Sequence, residues 1–253
     1  MDLRYVTWAS VQGSPEAQYL EEIARAAEDP AVKRICDIGG GANPLIGLGK
    51  AKAAGIEEYV VTDIDSEELA KAPDGYTKVH HDASSPWPEG VGSFDLVFSR
   101  YVAEHVPDPA AFHRTIFALL RPGGRAMHFF PTLYEPVFVF NKLAPEALTA
   151  RLLHQAQEGR EEGGDHQKFP AHYRWCRGAT KSQLRRLQGI GFTVERYVTV
   201  FGHGYFWKAP RLEHLADATN AWLCRRRLAR FGAYAMVTLR RPPAADGGAG
   251  ARQ

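Results

Sequence analysis

The sequence predicts an α/β fold built on one doubly wound, mostly parallel sheet of seven strands. Three observations carry that prediction. Short apolar runs alternate with stretches of helical period, several of those runs stop at an acid, and three consecutive glycines follow the first of them directly. At 253 residues the chain is long enough to bury one good core.

Residues 15–28 have the spacing of an amphipathic helix. Val32, Ile35 and Ile38 then supply a buried strand that stops at Gly39, Gly40 and Gly41, a turn without Cβ atoms where backbone can approach a bound molecule closely. Asn43 suits an N-cap and Pro44 the first helical position, which predicts a helix whose free N–H groups point back at the turn. Residues 58–63 are a second strand, and Asp65-Ser66-Glu67-Glu68 after it has the first-turn acids of a helix start. Strands three and four, at residues 77–82 and 93–99, are implied by a family resemblance and not by spacing. Asp108 and Pro109 open a helix carrying Phe112, Ile116, Leu119 and Leu120 at helical spacing; Arg121-Pro122-Gly123-Gly124 stops it, and residues 125–130 form strand five. Residues 132–179 are irregular and rich in aromatics, among them Tyr134, Tyr173 and Trp175. Thr180 and Gln183 make a capping-box pattern ahead of Leu184 and Leu187, and residues 192–201 alternate as a strand. Residues 210–230 read as a helix with Leu212, Leu215, Ala216, Thr219 and Trp222 on one face, and residues 233–240 as the last strand. The chain therefore divides into one domain over residues 1–241, with 132–179 and 202–230 as cap insertions, and a disordered tail over 242–253 that is poor in apolar residues.

The glycine turn suits a cofactor or a tight structural bend, and its neighbours bear on the choice. A dinucleotide fingerprint has a glycine or alanine at the third position of its pattern, where Pro44 stands here. Asp37, two residues before the first glycine, would face the negative phosphates of a pyrophosphate and suits a cationic ligand instead. The stretch Asp37-Ile38-Gly39-Gly40-Gly41 resembles the Asp/Glu-x-Gly-x-Gly signature of class I S-adenosylmethionine-dependent methyltransferases, with Asn43 where that family commonly has a third glycine. Further matches follow in the same order. Asp63 ends the second strand 22 positions after Gly41, close to the spacing at which an acid reaches ribose hydroxyls. The segment from Thr77 to Ala83 resembles the family's third strand with Asp82 as the acid that meets the adenine amino group, although Asp82 also suits a plain turn. Phe94-Asp95-Leu96-Val97 followed by Glu104-His105-Val106 is the most specific match after the glycine turn.

The resemblance runs from about Val32 to Pro131 and implies a Rossmann-like sheet, S-adenosyl-L-methionine as cofactor, and a cofactor site made of Asp37, Gly39, Gly40, Gly41, Asn43, Asp63, Ile64, Asp82, Ala83, Ser99 and Arg100. Because the donor is an activated sulfonium, alignment of the nucleophile and exclusion of water supply much of the catalysis. A base is needed only for a hydroxyl or protonated amine, and histidine, with a reference pKa of about 6.5, is the natural type. His105 is the candidate placed by the motif; His172, Tyr173 and Tyr134 are its rivals in the cap.

Composition narrows the partners. A formal charge of +2 gives no strong pull toward nucleic acid or membrane, and the absence of an Asn/Asp-Pro-Pro-Tyr-like motif where Ser99-Arg100-Tyr101-Val102 stands argues against amino methylation of DNA or RNA. Arg225, Arg226, Arg227 and Arg230 are read as cations at a helix end, the placement that the helix dipole favours. His154, Asp165, His166 and His172 lack a recognised metal-ligand spacing, so no metal is expected. Three scattered cysteines argue against a disulfide framework, and the N-terminus has no apolar signal core, so a cytoplasmic protein is expected. The expected reaction is methyl transfer to oxygen or nitrogen of a small molecule: a natural product, a sugar or a glycan precursor. A protein or RNA methyltransferase, a cofactor-binding module without transfer activity and, third, an oxidoreductase are the competing readings.

Overall fold

A computed structural model describes residues 1–87, 93–133, 170–203 and 210–244. Along the chain these residues form β1 (Asp2–Thr7), α1 (Pro15–Ala27), β2 (Arg34–Ile38), α2 (Leu48–Ala53), β3 (Glu58–Asp63), α3 (Ser66–Ala70), β4 (Thr77–His80), β5 (Phe94–Arg100), α4 (Pro109–Leu119), β6 (Leu120–Pro131), α5 (Lys181–Ile190), β7 (Thr193–Phe201), α6 (Pro210–Arg225) and β8 (Tyr234–Arg240). The strands make one sheet in the order β1-β7-β8-β6-β5-β2-β3-β4. All neighbours are parallel except β8, which runs antiparallel to both β6 and β7.

The sheet has eight strands where seven are expected. The extra one is β1, which extends the edge by pairing with β7 from Asp2 opposite Arg196 to Thr7 opposite Phe201. Its side chains, Asp-Leu-Arg-Tyr-Val-Thr, are exposed or half-buried, so an apolar pattern does not mark it. Backbone hydrogen bonding recruits such an edge, and Leu3, Tyr5 and Val6 add partly buried contacts with the core.

Helices cover both faces of the sheet, and β5 shows why: Val97 packs on one side among Phe112, Ile116 and Leu187, while Phe98 packs on the other among Ile23 and Phe129. Local caps agree with the sequence. Ser14, Asp65, Asp108 and Thr180 each accept backbone N–H groups at the start of α1, α3, α4 and α5. The stripe expected on α6 behaves differently. Leu212, Leu215 and Trp222 are exposed, and the helix buries Asn220 and Leu223 instead where it packs beside β1 and β7.

The chain passes from β2 to β3 on one side and returns later to β5 on the other, so the carboxyl ends of β2 and β5 border the crevice where open α/β sheets bind ligands. Tyr19 of α1 is buried beside this point and donates its hydroxyl to the carbonyls of Ser99 (2.8 Å) and Met127 (2.9 Å), tying the N-terminal helix to the ends of β5 and β6. No helix among the described residues is long and apolar enough to cross a membrane.

Candidate active site

Two lobes of a crevice meet at the glycine turn, with volumes of about 210 and 270 Å³; Gly39 and Asp63 line both. The backbone of the turn is fixed by the N–H groups of Gly39 and Gly40, which donate to the Thr62 carbonyl at 2.8 and 3.1 Å. Gly41 sits at φ +42°, and a Cβ there would lie 2.9 Å from Asp63 Oδ2. A Cβ on Gly40 would meet the Asp37 carboxylate at the same distance. Glycine is thus required by close approach to two carboxylates.

Asp37 makes the smaller lobe unusual. The residue is 1 % exposed, and its Oδ2 accepts the Leu45 N–H at 2.7 Å and the Tyr59 hydroxyl at 3.2 Å. Its Oδ1 is buried without a hydrogen-bond partner among the described residues. Burial pushes the carboxyl up to about 7. These bonds also explain a departure from the sequence reading. Helix α2 starts at Leu48 with Gly47 as its N-cap, not at Pro44, and Asn43 instead closes a tight turn on the Gly40 carbonyl (2.9 Å). The N–H groups of Leu45 and Ile46, expected to be free at a helix start, are taken by Asp37 and the Tyr59 hydroxyl. Besides Asp37, the lobe is lined by Asn43, Asp63, Glu68 and Arg100, so three carboxylates face one guanidinium. Arg100 Nη1 is in turn held 2.7 Å from Oε1 of Glu16 in the first turn of α1, and Glu16 Oε2 accepts the Tyr101 hydroxyl at 3.1 Å. A net negative lobe favours a cation.

The larger lobe is mostly apolar. Ile64, Ala83, Val102, Val106 and Pro107 line it, with Asp63 and Asp82 at intervals. Ile64 is 53 % exposed, an apolar side chain presented to the lobe at a turn held by a 2.9 Å bond between its carbonyl and His80 Nε2. Burial raises the Asp63 carboxyl, whose Oδ1 accepts the Asp65 N–H at 2.9 Å. Asp82 is exposed and accepts the Ser84 N–H at 2.8 Å.

His105 ends a short 3-10 turn, Ala103–His105, and lines the larger lobe. Its Nδ1 is 3.4 Å from the Pro170 carbonyl and its Nε2 3.9 Å from Glu104 Oε1. Glu104 is buried, which pushes its carboxyl up to about 8, and its Oε2 is without a hydrogen-bond partner among the described residues. Its carbonyl anchors the cap by accepting the N–H groups of His172 (2.7 Å) and Tyr173 (2.9 Å).

The structure brings most of the expected residues to the two lobes: Asp37, Gly39, Gly40, Gly41, Asn43, Asp63, Ile64, Asp82, Ala83, Arg100 and His105. Ser99 is a correction. It is the next-to-last residue of the buried strand β5, its Oγ is 2.8 Å from His128 Nδ1 in the interior, and it lines neither lobe. His172 is exposed and lines neither lobe, its backbone alone reaching the Glu104 turn. Tyr134, His154, Asp165 and His166 lie outside the described residues. Glu16, Tyr101 and Val102 were missed as neighbours of the crevice. Glu16 had no local signal, because only the packing of α1 places it beside Arg100.

A doubly wound sheet whose crevice joins an acidic lobe to a mostly apolar one through Asp63 has the form of a class I enzyme that uses S-adenosylmethionine, a nucleoside with a cationic tail. The family model for a methyltransferase domain matches residues 12–221, and the chain belongs to that family. It is 34 % identical over 95 residues to methyltransferase psoC of Aspergillus fumigatus, covering 36 % of this chain and 35 % of that one. It is 34 % identical over 112 residues to a ubiquinone biosynthesis O-methyltransferase of Ralstonia nicotianae, covering 42 % and 45 %. The match thus spans less than half the length of either curated relative. Among solved structures, an S-adenosylmethionine-dependent methyltransferase from Clostridium acetobutylicum shares the fold with a TM-score of 0.53 at 10 % identity, over 92 % of this chain and 94 % of that one. The [4+2]-cyclase SpnF shares it with a TM-score of 0.52 at 18 % identity, over 95 % and 87 %.

Proposed function

We propose that the chain transfers the methyl group of S-adenosylmethionine to an oxygen or nitrogen of a small molecule such as a natural product, a sugar or a glycan precursor, as one domain over residues 1–241 acting in the cytoplasm without nucleic-acid or membrane partners. The observation that supports the cofactor side of this reading most directly is the buried, unpartnered Asp37 Oδ1 beside a glycine turn in an acidic lobe. A carboxylate left in that state costs free energy until a cation meets it. The three free cysteines, two of them buried, suit a reducing compartment. The name of one relative, a ubiquinone biosynthesis O-methyltransferase, supports the acceptor class.

The residues present fit the cofactor. Asp37 serves the ammonium group, Arg100, steadied by Glu16, the carboxylate, Asp63 the ribose hydroxyls, and Asp82 with Ala83 the adenine edge, while Ile64 and Val102 cover the ring. When bound, the cofactor supplies a methyl group on a sulfonium, a leaving group that needs no protonation. His105 stands on the wall of the nucleoside lobe, and its imidazole takes the proton of a hydroxyl acceptor as that oxygen becomes nucleophilic. His172 and Tyr134 are the alternative bases of the cap. Residues 132–179 and 202–230 select the acceptor, because loops on a rigid sheet are where specificity usually resides. Screening pools of phenolic, sugar and amine acceptors with methyl-labelled cofactor tests the reading: label should pass to a small molecule, and transfer confined to protein or RNA in the same extracts would overturn it.

A further inference from the structure

Tyr101 lines the larger lobe with its backbone in the left-handed region, at φ 57°. An aromatic residue is an outlier there, and such backbone persists only where the surrounding contacts impose it. Three tethers do so. The Tyr101 N–H donates to the Phe129 carbonyl at 2.9 Å, which pins the residue to the end of β6. Its ring meets Phe129 with centroids 5.3 Å and planes 66° apart, and Phe129 is itself stacked on Tyr19 and Tyr234. The hydroxyl, 3.1 Å from Glu16 Oε2, is the third tether.

That last bond has a direction. Glu16 Oε1 is 2.7 Å from Arg100 Nη1, and a carboxylate paired with a guanidinium only accepts, so the phenol donates its one proton to Glu16. The phenol oxygen keeps only lone pairs for any further contact. Burial, and after it the neighbouring Glu16, push the phenol further above its ordinary value, so this oxygen is a neutral acceptor and not a base. Tyr101 is still 38 % exposed. Arg100 lines the acidic lobe and Tyr101, the next residue, the apolar one, so this strand end crosses the seam where Gly39 and Asp63 also line both. A cofactor with its charged tail in the first lobe and its nucleoside in the second carries its sulfonium across that seam.

We propose that the Tyr101 phenol oxygen holds the transferring methyl group of the cofactor, its lone pairs turned to the methyl hydrogens that the sulfonium charge polarises. The methyl is thereby fixed in direction before the acceptor arrives, which is the alignment that transfer from a sulfonium needs. This role rests on the cofactor placement proposed above and on no particular acceptor.

The test is calorimetric titration of the parent protein and of Tyr101→Phe, which keeps the ring and removes only the hydroxyl, with three ligands. S-adenosylhomocysteine lacks the methyl, S-adenosylmethionine has it, and sinefungin carries a protonated amine on carbon in its place. Tyr101→Phe should leave the first affinity unchanged, weaken the second about threefold and weaken the third about tenfold, as follows from losing a weak C–H···O contact and a charge-assisted hydrogen bond. Unchanged binding of S-adenosylhomocysteine also reports an intact crevice. Equal loss with all three ligands would assign Tyr101 to the packing of the crevice, and an unchanged affinity for sinefungin would remove it from the methyl; either result overturns the proposal. With an acceptor in hand, kcat should fall in Tyr101→Phe while the acid limb of the pH–rate profile stays in place, and loss of that limb would make Tyr101 a base and overturn the proposal. If no acceptor is found, the transfer reading fails while the three affinities still decide the role of Tyr101.

Discussion

Replacing Asp37 by asparagine should make the protein more stable and unable to hold its cofactor. Burial raises this carboxyl from 3.8 to about 7. A raised carboxyl binds its proton more tightly in the folded chain than in the unfolded one, so its contribution is fully present below about pH 4 and is lost as pH rises toward 7. At about 1.36 kcal/mol per unit, three units amount to roughly 4 kcal/mol that the folded state loses by pH 8. Asparagine keeps the shape and an acceptor for Leu45 N–H, but its amide nitrogen takes the place of the unpartnered Oδ1, at a cost of about 1–3 kcal/mol. The net gain at pH 8 is therefore about 1–3 kcal/mol, or a few degrees in Tm for a chain of this size. Thermal unfolding of both proteins across pH 4 to 9 measures it. Other titrating groups, Asp63 and Glu104 among them, are common to both proteins, so the difference between the two curves isolates Asp37. The same linkage acts on binding: affinity of the parent protein for S-adenosylmethionine should fall about tenfold per unit as pH drops below 7, because the cation competes with a proton. A difference curve that is flat with pH, or an Asp37→Asn protein that binds the cofactor as well as its parent, would refute the argument that the lobe stores an uncompensated charge.

Three further outcomes are expected. Asp63→Ala should weaken S-adenosylhomocysteine binding by about 1–3 kcal/mol in calorimetry, the cost of leaving buried polar partners unmatched; unchanged affinity in a folded variant would remove Asp63 from the site. Gly41→Ala places a Cβ 2.9 Å from Asp63 Oδ2 at φ +42°, so cofactor affinity should drop at least about tenfold and the melting temperature should fall by a few degrees, and a normal dissociation constant would show that the turn tolerates side chains. His105→Ala should lower turnover on a hydroxyl acceptor by about a hundredfold and abolish the acid limb of the pH–rate profile, as for loss of a general base. Full activity with a flat profile would leave the reaction to alignment alone.

The glycine turn and the acids around it were legible because each of these parts is announced locally. An apolar run that stops at an acid marks Asp37 and Asp63, and consecutive glycines mark the turn that must pass close to both. Helix starts at Asp65, Asp108 and Thr180 were legible for the same reason, since a cap and the groups it satisfies are two or three residues apart. The same local reasoning misplaced the start of α2. Asn43-Pro44 has the composition of a helix start, yet Asp37 and Tyr59, distant in sequence, take the N–H groups that a helix start would have left free.

By itself, then, the sequence determined the alternating fold, the buried strands that carry an apolar pattern, and the acids and glycines at the strand ends, because these are encoded in spacings of a few residues. Only the tertiary structure decided the rest. Strand β1 exists through backbone pairing that its side chains do not advertise. Ser99 turns inward to His128, and the apolar stripe of α6 faces out, because the packing of neighbouring elements and not periodicity chooses which face is covered. The links from Glu16 to Arg100 and Tyr101 join segments far apart in the chain. Charge acts through space, and only folding sets those distances.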